Sequence, residues 1–398
     1  MIPVNEPLIA KNTLSYVSDC IQTGWISSAG SYIQRFEKEF AAYLHVKHAV
    51  TTTSGTTALH LALASLGIGP GQELIIPALT MIAVPYAVLY TGARPAIIDV
   101  DRETFNIDPG KIIEFVKKSC RFDHRRKILV NKKTKNIVRA ILPVHLYGHP
   151  CPMDRIMAVA EEYSLLVVED AAEAHGALFY PDADRKKARF AGAMGDVGCF
   201  SFYANKIVTT GEGGMVVTND DAVAERARRL KDLAHAPQRR FLHTELAFNY
   251  RMTNVQAAIG VAQLEEIEKS IALKQKMAAA YHKWLADVRG LTLPCEKPWA
   301  RNVYWMYAVL VEKEFGLDRD ELMRRLREEG VDTRTFFVPV HQQPVFANDK
   351  ESQEASFPVA EELSRFGLYL PSGLALTEAQ IQAVCQAIKK ISASLPGI

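Results

Sequence analysis

Cysteine is sparse and follows no pattern in this chain. Six thiols in 398 residues (Cys20, Cys120, Cys151, Cys199, Cys295 and Cys385) show neither a CxxC pair nor an even framework. Such usage reads as reduced thiols, so the expectation is a cytoplasmic protein with no metal site. Neither sign of charge dominates: 47 Lys and Arg face 45 Asp and Glu, a formal +2. That balance gives no general pull toward nucleic acid or an anionic membrane. No window approaches the ~18 apolar residues of a membrane span. Leu74 to Leu89 comes nearest and is broken by Pro77 and Pro85. The opening Met-Ile-Pro-Val-Asn-Glu-Pro lacks the charged-then-apolar pattern of a secretion signal. Neither GxxxxGK(S/T) nor GxGxxG occurs, which argues against a nucleotide P-loop and a dinucleotide fingerprint. There is no internal repeat and no low-complexity tract.

What is present is ordinary globular composition, 48% hydrophobic and 23% charged, in a chain long enough for two domains. A helix is expected over Asn12 to Gln22, and Ser31 to Leu44 puts Ile33, Phe36, Phe40 and Tyr43 on one helical face. From His48 onward strands and helices alternate. Strands are expected at 48–53, 73–76, 94–100, 141–147, 165–168, 197–203 and 215–218, with helices at 81–90, 108–118, 154–163 and 220–233. That alternation predicts a mostly parallel sheet covered on both faces, with ligands at the carboxyl ends of its strands. Residues 1–248 form the expected large domain and 249–398 a smaller α/β domain. Its long opening helix starts at the Thr253/Gln256 capping box. Within 249–398, strands are expected at 305–311 and 335–340, and helices at 317–329 and 377–391. The segment 235–246 reads as irregular. Two stretches look inserted, 121–139 and 182–189. The first is basic, with Lys132-Lys133-Thr134-Lys135 at a hairpin tip. Nucleic-acid binding is conceivable there, but few aromatics accompany the charges, and a solvated hairpin is preferred.

Three signals carry chemistry. Val197 to Tyr203 runs into Lys206, followed by Thr209-Thr210-Gly211-Glu212-Gly213-Gly214. A lysine in an apolar pocket loses charge and becomes a nucleophile toward carbonyls; a surface lysine in a loop is the plain alternative. The turn Ser54-Gly55-Thr56-Thr57 joins a strand to a helix start, a natural anion cradle or an ordinary cap. Asp170 ends an apolar strand, where a carboxylate needs a cationic partner unless it caps a helix. His175 alone reads better as packing than as a ligand. Taken together these residues match one cofactor. Pyridoxal phosphate needs a lysine to bond its aldehyde, an acid to keep its ring nitrogen protonated, and a phosphate cradle. Lys206, Asp170 and the Ser54–Thr57 turn supply all three.

Glu169 to Gly176, Phe200 to Lys206 with Thr209 to Gly214, and Asn249-Tyr250-Arg251-Met252-Thr253-Asn254 resemble the DegT/DnrJ/EryC1/StrS family of nucleotide-sugar aminotransferases. The likeness runs from Ile2 to the C-terminal helix. Asn5-Glu6-Pro7, Gly24 to Ser28 and Phe337 to Pro344 are most like the branch that makes GDP-perosamine, aminating C4 of GDP-4-keto-6-deoxy-mannose with L-glutamate as donor. Products of this kind serve O-antigen and lipopolysaccharide synthesis. The resemblance implies the aspartate aminotransferase-like fold (fold type I) and a homodimer with shared active sites. It implies Lys206 and Asp170 as catalytic residues. Cofactor contacts would come from Ser54, Gly55, Thr56, Met81, Glu173, Ser201 and, across the dimer, Asn249. Glu173 stands where many relatives have Gln. Trp25, with Met81, would face the sugar, and Arg251, Arg334 and His341 the nucleotide. Dehydrating relatives carry His at the lysine position, so Lys206 argues for transamination. A UDP- or dTDP-linked keto sugar is the rival substrate. A non-catalytic binding or regulatory protein on the same fold is the rival class, and it predicts loss of the lysine or the acid.

Overall fold

The computed structural model describes residues 1–348 and 355–395. Short apolar runs rich in Val, Ile and Ala build the central sheet. Its strands lie in the order His48–Thr52, Gly214–Thr218, Val197–Ser201, Leu166–Asp170, Ile137–Ile141, Gln72–Pro77 and Arg94–Ile98. The last five run parallel. Gly214–Thr218 is antiparallel to both its neighbours. Val197–Ser201 and Gly214–Thr218 are buried at every position, as strands covered on both faces must be. The helix Ser31–Leu44 lays Phe36 and Phe40 against Phe200 and Phe202, with ring centroids 5.0–5.4 Å apart. Such tilted and edge-on pairs fix the sheet end from which Lys206 departs.

The basic insertion is a hairpin, Cys120–Asp123 with Ile128–Asn131, added antiparallel to the start of Ile137–Ile141. The buried Glu73 carboxylate fastens it, accepting from Asn131 Nδ2 at 2.9 Å and Asn136 Nδ2 at 3.2 Å.

Thr253 caps the helix Asn254–Glu265 through the reciprocal Gln256 bond, and after Glu266 the chain continues as Ile267–Leu285. A second core gathers Tyr281, Tyr307, Leu326 and Ile388 beneath an antiparallel sheet, Leu291–Thr292, Tyr307–Val311, Gly367–Leu370 and Arg334–Thr335. On that ground we propose 1–248 and 249–398 as the two units, 349–354 and the last three residues lying outside those described. The N-terminal segment ties the second unit back to the first. Ile2 exchanges backbone hydrogen bonds with Gly330 and Asp332, and Val4 accepts from Ser372. None of the described helices is long and apolar enough to cross a membrane.

The structure revises several expected elements. The strand expected at 141–147 is Ile137–Ile141, continuous with the hairpin. Pro143 has no N–H to give a ladder, and Tyr147 turns the chain at φ 54°. The strand ahead of Lys206 stops at Ser201, where the Phe202 N–H turns to the Gly213 carbonyl. Residues 235–246 are not irregular throughout, because His235–Ala236 pairs with Arg239–His243. The strand expected at 335–340 shrinks to Arg334–Thr335 before Pro339 and a short 3-10 turn. The helix Pro358–Phe366 and the strand Gly367–Leu370 were not anticipated.

Candidate active site

A cavity of about 330 Å³ opens at the carboxyl ends of the parallel strands. Ser54, Gly55, Thr56, Met81, Asp170, Glu173, Ser201 and Lys206 all line it. Residues separated by up to about 150 positions thus meet because each follows a strand of one sheet.

The Lys206 side chain is only 9% exposed. Its Nζ lies 3.6 Å from Glu173 Oε1 and 3.6 Å from the centroid of the Trp305 ring. Burial holds this amine below the ordinary lysine range, while the carboxylates of Glu173 and Asp170 pull it back up. Burial likewise pushes Glu173 up to about 7, against the opposing pull of Lys206. The Tyr147 N–H donates to Glu173 Oε2 at 2.8 Å and fixes that side chain. Burial thus favours the neutral form of each group while each charge steadies the other, a pair fit for moving protons.

Asp170 ends its strand with its N–H given to the Pro143 carbonyl. Its Oδ1 accepts from the Ala172 N–H at 3.0 Å. Burial pushes this carboxyl up, with the Ala172 N–H and the charge of Lys206 working the other way. One residue earlier, Glu169 is fully buried in a network of its own. Its Oε2 accepts from His145 Nε2 at 2.9 Å and the Gly192 N–H at 2.8 Å, and its Oε1 from the Met194 and Gly195 N–H groups at 2.6 Å each. His145 Nδ1 accepts from the Cys151 N–H at 2.9 Å, so Nε2 carries the hydrogen toward Glu169. The network anchors the strand end from which Asp170 projects.

The anion cradle is the start of the helix Gly55–Ser65. Ser54 Oγ accepts from the Thr57 N–H, and Thr57 Oγ1 accepts from the Ser54 N–H, a reciprocal cap. Ser54 thus spends its hydroxyl on the helix, and the first-turn amides of Gly55 and Thr56 are left for an anion. A Cβ on Gly55 would come within 2.7 Å of Ser201 Cβ, so only glycine keeps this space open. Two buried polar atoms of cavity-lining residues, Thr80 Oγ1 and Asn205 Oδ1, have no hydrogen-bond partner among the described residues. An open glycine cradle, a buried acid awaiting a cation and two waiting polar atoms fit a phosphorylated, ring-nitrogen cofactor.

Other expected positions lie elsewhere. Trp25 is 58% exposed on its loop. Asn249 is exposed and bridges backbone to Asp232. Arg251 Nη1 is paired with Asp232. Its cleft is a separate one, lined also by Lys231 and Met252. His341 is buried, with Nε2 3.0 Å from Glu361 Oε1. Arg334 pairs with Asp332 and lines a second cleft with Asn5, Tyr203, Asn205 and Tyr369. Tyr203, Asn205 and Tyr369 belong to both cavities, so that cleft adjoins the Lys206 site. His175 packs its ring on Phe200 and Phe202 and is pushed down to about 3, chiefly by burial.

Sequence reasoning missed Trp305, Phe337 and Tyr369 as cavity walls. Trp305 had been read only as the first residue of a strand. The dense aromatic run Tyr304-Trp305-Met306-Tyr307 is the signal that could have raised it.

The DegT/DnrJ/EryC1/StrS aminotransferase family matches residues 7–389. The chain is 41% identical over 391 residues to GDP-perosamine synthase of Caulobacter vibrioides, covering 98% of each. It is 39% identical to the enzyme of that name from Vibrio cholerae, again over 98% of each chain. Among solved structures it is similar to DesV of S. venezuelae, with a TM-score of 0.84 and 35% identity over 97% of this chain and 95% of that one. An aminotransferase from Psychrobacter cryohalolentis matches with a TM-score of 0.84 and 31% identity over 98% of both chains.

Proposed function

The chain belongs to the DegT/DnrJ/EryC1/StrS aminotransferase family, and from that membership we propose that it makes GDP-perosamine, transferring an amino group from L-glutamate to C4 of GDP-4-keto-6-deoxy-mannose. It is a pyridoxal-phosphate-dependent sugar aminotransferase of the aspartate aminotransferase-like fold. The observation that carries the chemistry is one cavity holding a buried amine, Lys206, and a buried acid, Asp170, beside the Gly55 cradle. The likeness to GDP-perosamine synthases selects the sugar.

When bound, pyridoxal phosphate supplies the electron sink for charge developing at the substrate carbon. The Gly55 and Thr56 amides and Ser201 would hold its phosphate. Asp170 would keep the ring nitrogen protonated, and that proton is the cation its buried carboxylate lacks. Lys206 Nζ takes the proton from Cα of glutamate and later delivers one to C4 of the sugar, as general base and then general acid. Glu173 steadies the ammonium form between those transfers. Trp305, Phe337 and Tyr369 wall the amine off from bulk water, which strengthens every charge interaction inside. The adjoining cleft with Arg334 suits the nucleotide diphosphate.

The same reading takes the enzyme as a cytoplasmic homodimer feeding O-antigen synthesis. Asn249, exposed and outside this chain's cavity, would reach the phosphate of the other subunit's site.

The test is a single turnover. Enzyme loaded with L-glutamate and then desalted is offered GDP-, UDP- and dTDP-linked 4-keto-6-deoxy sugars, and the products are weighed by mass spectrometry. The GDP sugar should exchange its ketone for an amine, and Lys206→Ala should yield no product. Preference for a UDP or dTDP sugar, or normal turnover by Lys206→Ala, would overturn the assignment.

A further inference from the structure

Lys274 lies in the helix Ile267–Leu285, outside the cavity, and is 1% exposed. Its Nζ donates to the Trp305 carbonyl at 2.9 Å and to the Ser372 carbonyl. Burial alone sets its titration and pushes the amine down to about 7, with no charged neighbour contributing. A neutral amine has two N–H donors, and two carbonyls meet them; an ammonium would leave its third donor bare. Lysine with this little solvent and no counter-charge is rare enough to need a reason.

The reason is what it holds. The Trp305 ring covers Lys206 Nζ. The Trp305 Nε1–H also donates to the carbonyl of Asn205, the residue before Lys206, at 2.9 Å. Asn5 Nδ2 donates to the same oxygen at 3.2 Å. The second acceptor of Lys274 is equally tied down. Ser372 Oγ accepts from the Tyr307 N–H at 2.9 Å, and the Ser372 N–H donates to the Val4 carbonyl at 2.7 Å. One amine therefore joins the lead-in to Tyr307–Val311 to the segment after Gly367–Leu370, at the point where the indole leaves for the active site.

We propose that Lys274 is a positioning residue for the aminotransferase reaction: by gripping the Trp305 main chain it sets the indole against Lys206 and so controls how dry the reacting amine is. This rests on Lys206 being that amine.

The full-length enzyme loaded with glutamate leaves the Lys206 amine free. It is acylated with acetic anhydride across a pH series, and the Lys206 peptide is quantified by mass spectrometry. Lys274→Met keeps the bulk and removes the donors. The Lys206 midpoint should rise toward that of an ordinary lysine, as it should in Trp305→Ala, and the double variant should move no further. The kcat should fall on the order of tenfold to a hundredfold, with KM for glutamate little changed, as for a misplaced catalytic group. Lys274→Gln, which retains N–H donors, should fall between native and Met. A native Lys206 midpoint in folded Lys274→Met overturns the proposal. So does a Lys274→Met chain that cannot be folded, since the amine would then serve the fold itself. Failure of the underlying reading shows separately, as a Lys206→Ala enzyme that still turns over.

Discussion

Replacing Glu169 by glutamine preserves shape and removes one acceptor oxygen, and the consequence can be worked from the contacts. The carboxylate satisfies four donors, two on each oxygen. A glutamine has one carbonyl oxygen, so its NH2 must face either His145 and Gly192 or Met194 and Gly195. Two buried donors are then orphaned. At ~1–3 kcal/mol for each unmet buried group, Glu169→Gln should cost about 4 kcal/mol. That is a large fraction of the ~5–15 kcal/mol by which proteins of this kind are stable. Urea unfolding followed by circular dichroism at pH 7 measures it. The pH dependence adds a second check. Burial would raise the Glu169 carboxyl, yet His145 and the backbone N–H groups of Gly195 and Gly192 leave it below the ordinary glutamate range. A carboxylate depressed by folding adds stability above its unfolded pKa and loses it as pH falls through the folded one. The gap between native and variant should therefore be full at pH 7 and narrow below about pH 4.3, the ordinary glutamate value. A loss under ~1 kcal/mol, or a gap that stays constant in acid, would refute the account of this network.

Three further outcomes are expected. Asp170→Asn should melt within a few degrees of the native protein yet lose at least ~10²-fold in kcat, because an amide cannot keep a ring nitrogen protonated; unchanged kinetics would rule that role out. Gly55→Val should weaken pyridoxal phosphate binding by tenfold or more, ~1.4 kcal/mol, measured by fluorescence quenching, because a Cβ there already meets Ser201 at 2.7 Å. Glu173→Gln removes a charge that raises the Lys206 amine. The pH midpoint of the bound cofactor's visible absorbance should therefore move down, and a midpoint that stayed or rose would contradict the ion pair.

Local rules were legible wherever a residue type states them outright. Thr253 with Gln256 announced a helix start that the structure contains as a reciprocal cap. The helix Ser31–Leu44 has the expected bounds, with Phe36 and Phe40 of its apolar face buried and Ile33 and Tyr43 half-buried. The strand end carrying Asp170, and the turn carrying Lys206 beyond its strand, were readable because apolar runs stop at polar residues. What stayed hidden depends on partners distant in the chain. The Trp305 indole finds Asn205 across 100 positions, and nothing beside Trp305 foretells it. Lys274 sits in an amphipathic helix where a lysine usually faces water, and only the fold reveals the two carbonyls awaiting it. Glycine-free Thr335 to Val340 looked β-branched enough for a strand, but Pro339 and the Val340 N–H, bonded to the Ala78 carbonyl at 2.8 Å, bend it away.

The appended hairpin offers a practical handle. It joins the sheet at the beginning of Ile137–Ile141, whereas Val144, past the far end of that strand, already borders the cavity. Because Glu73 clasps the two ends of the turn that leads from Ile128–Asn131 into Ile137–Ile141, its Lys132–Lys135 stretch could be exchanged for an epitope, or its amines coupled to a solid support, with the catalytic mouth left facing free solution.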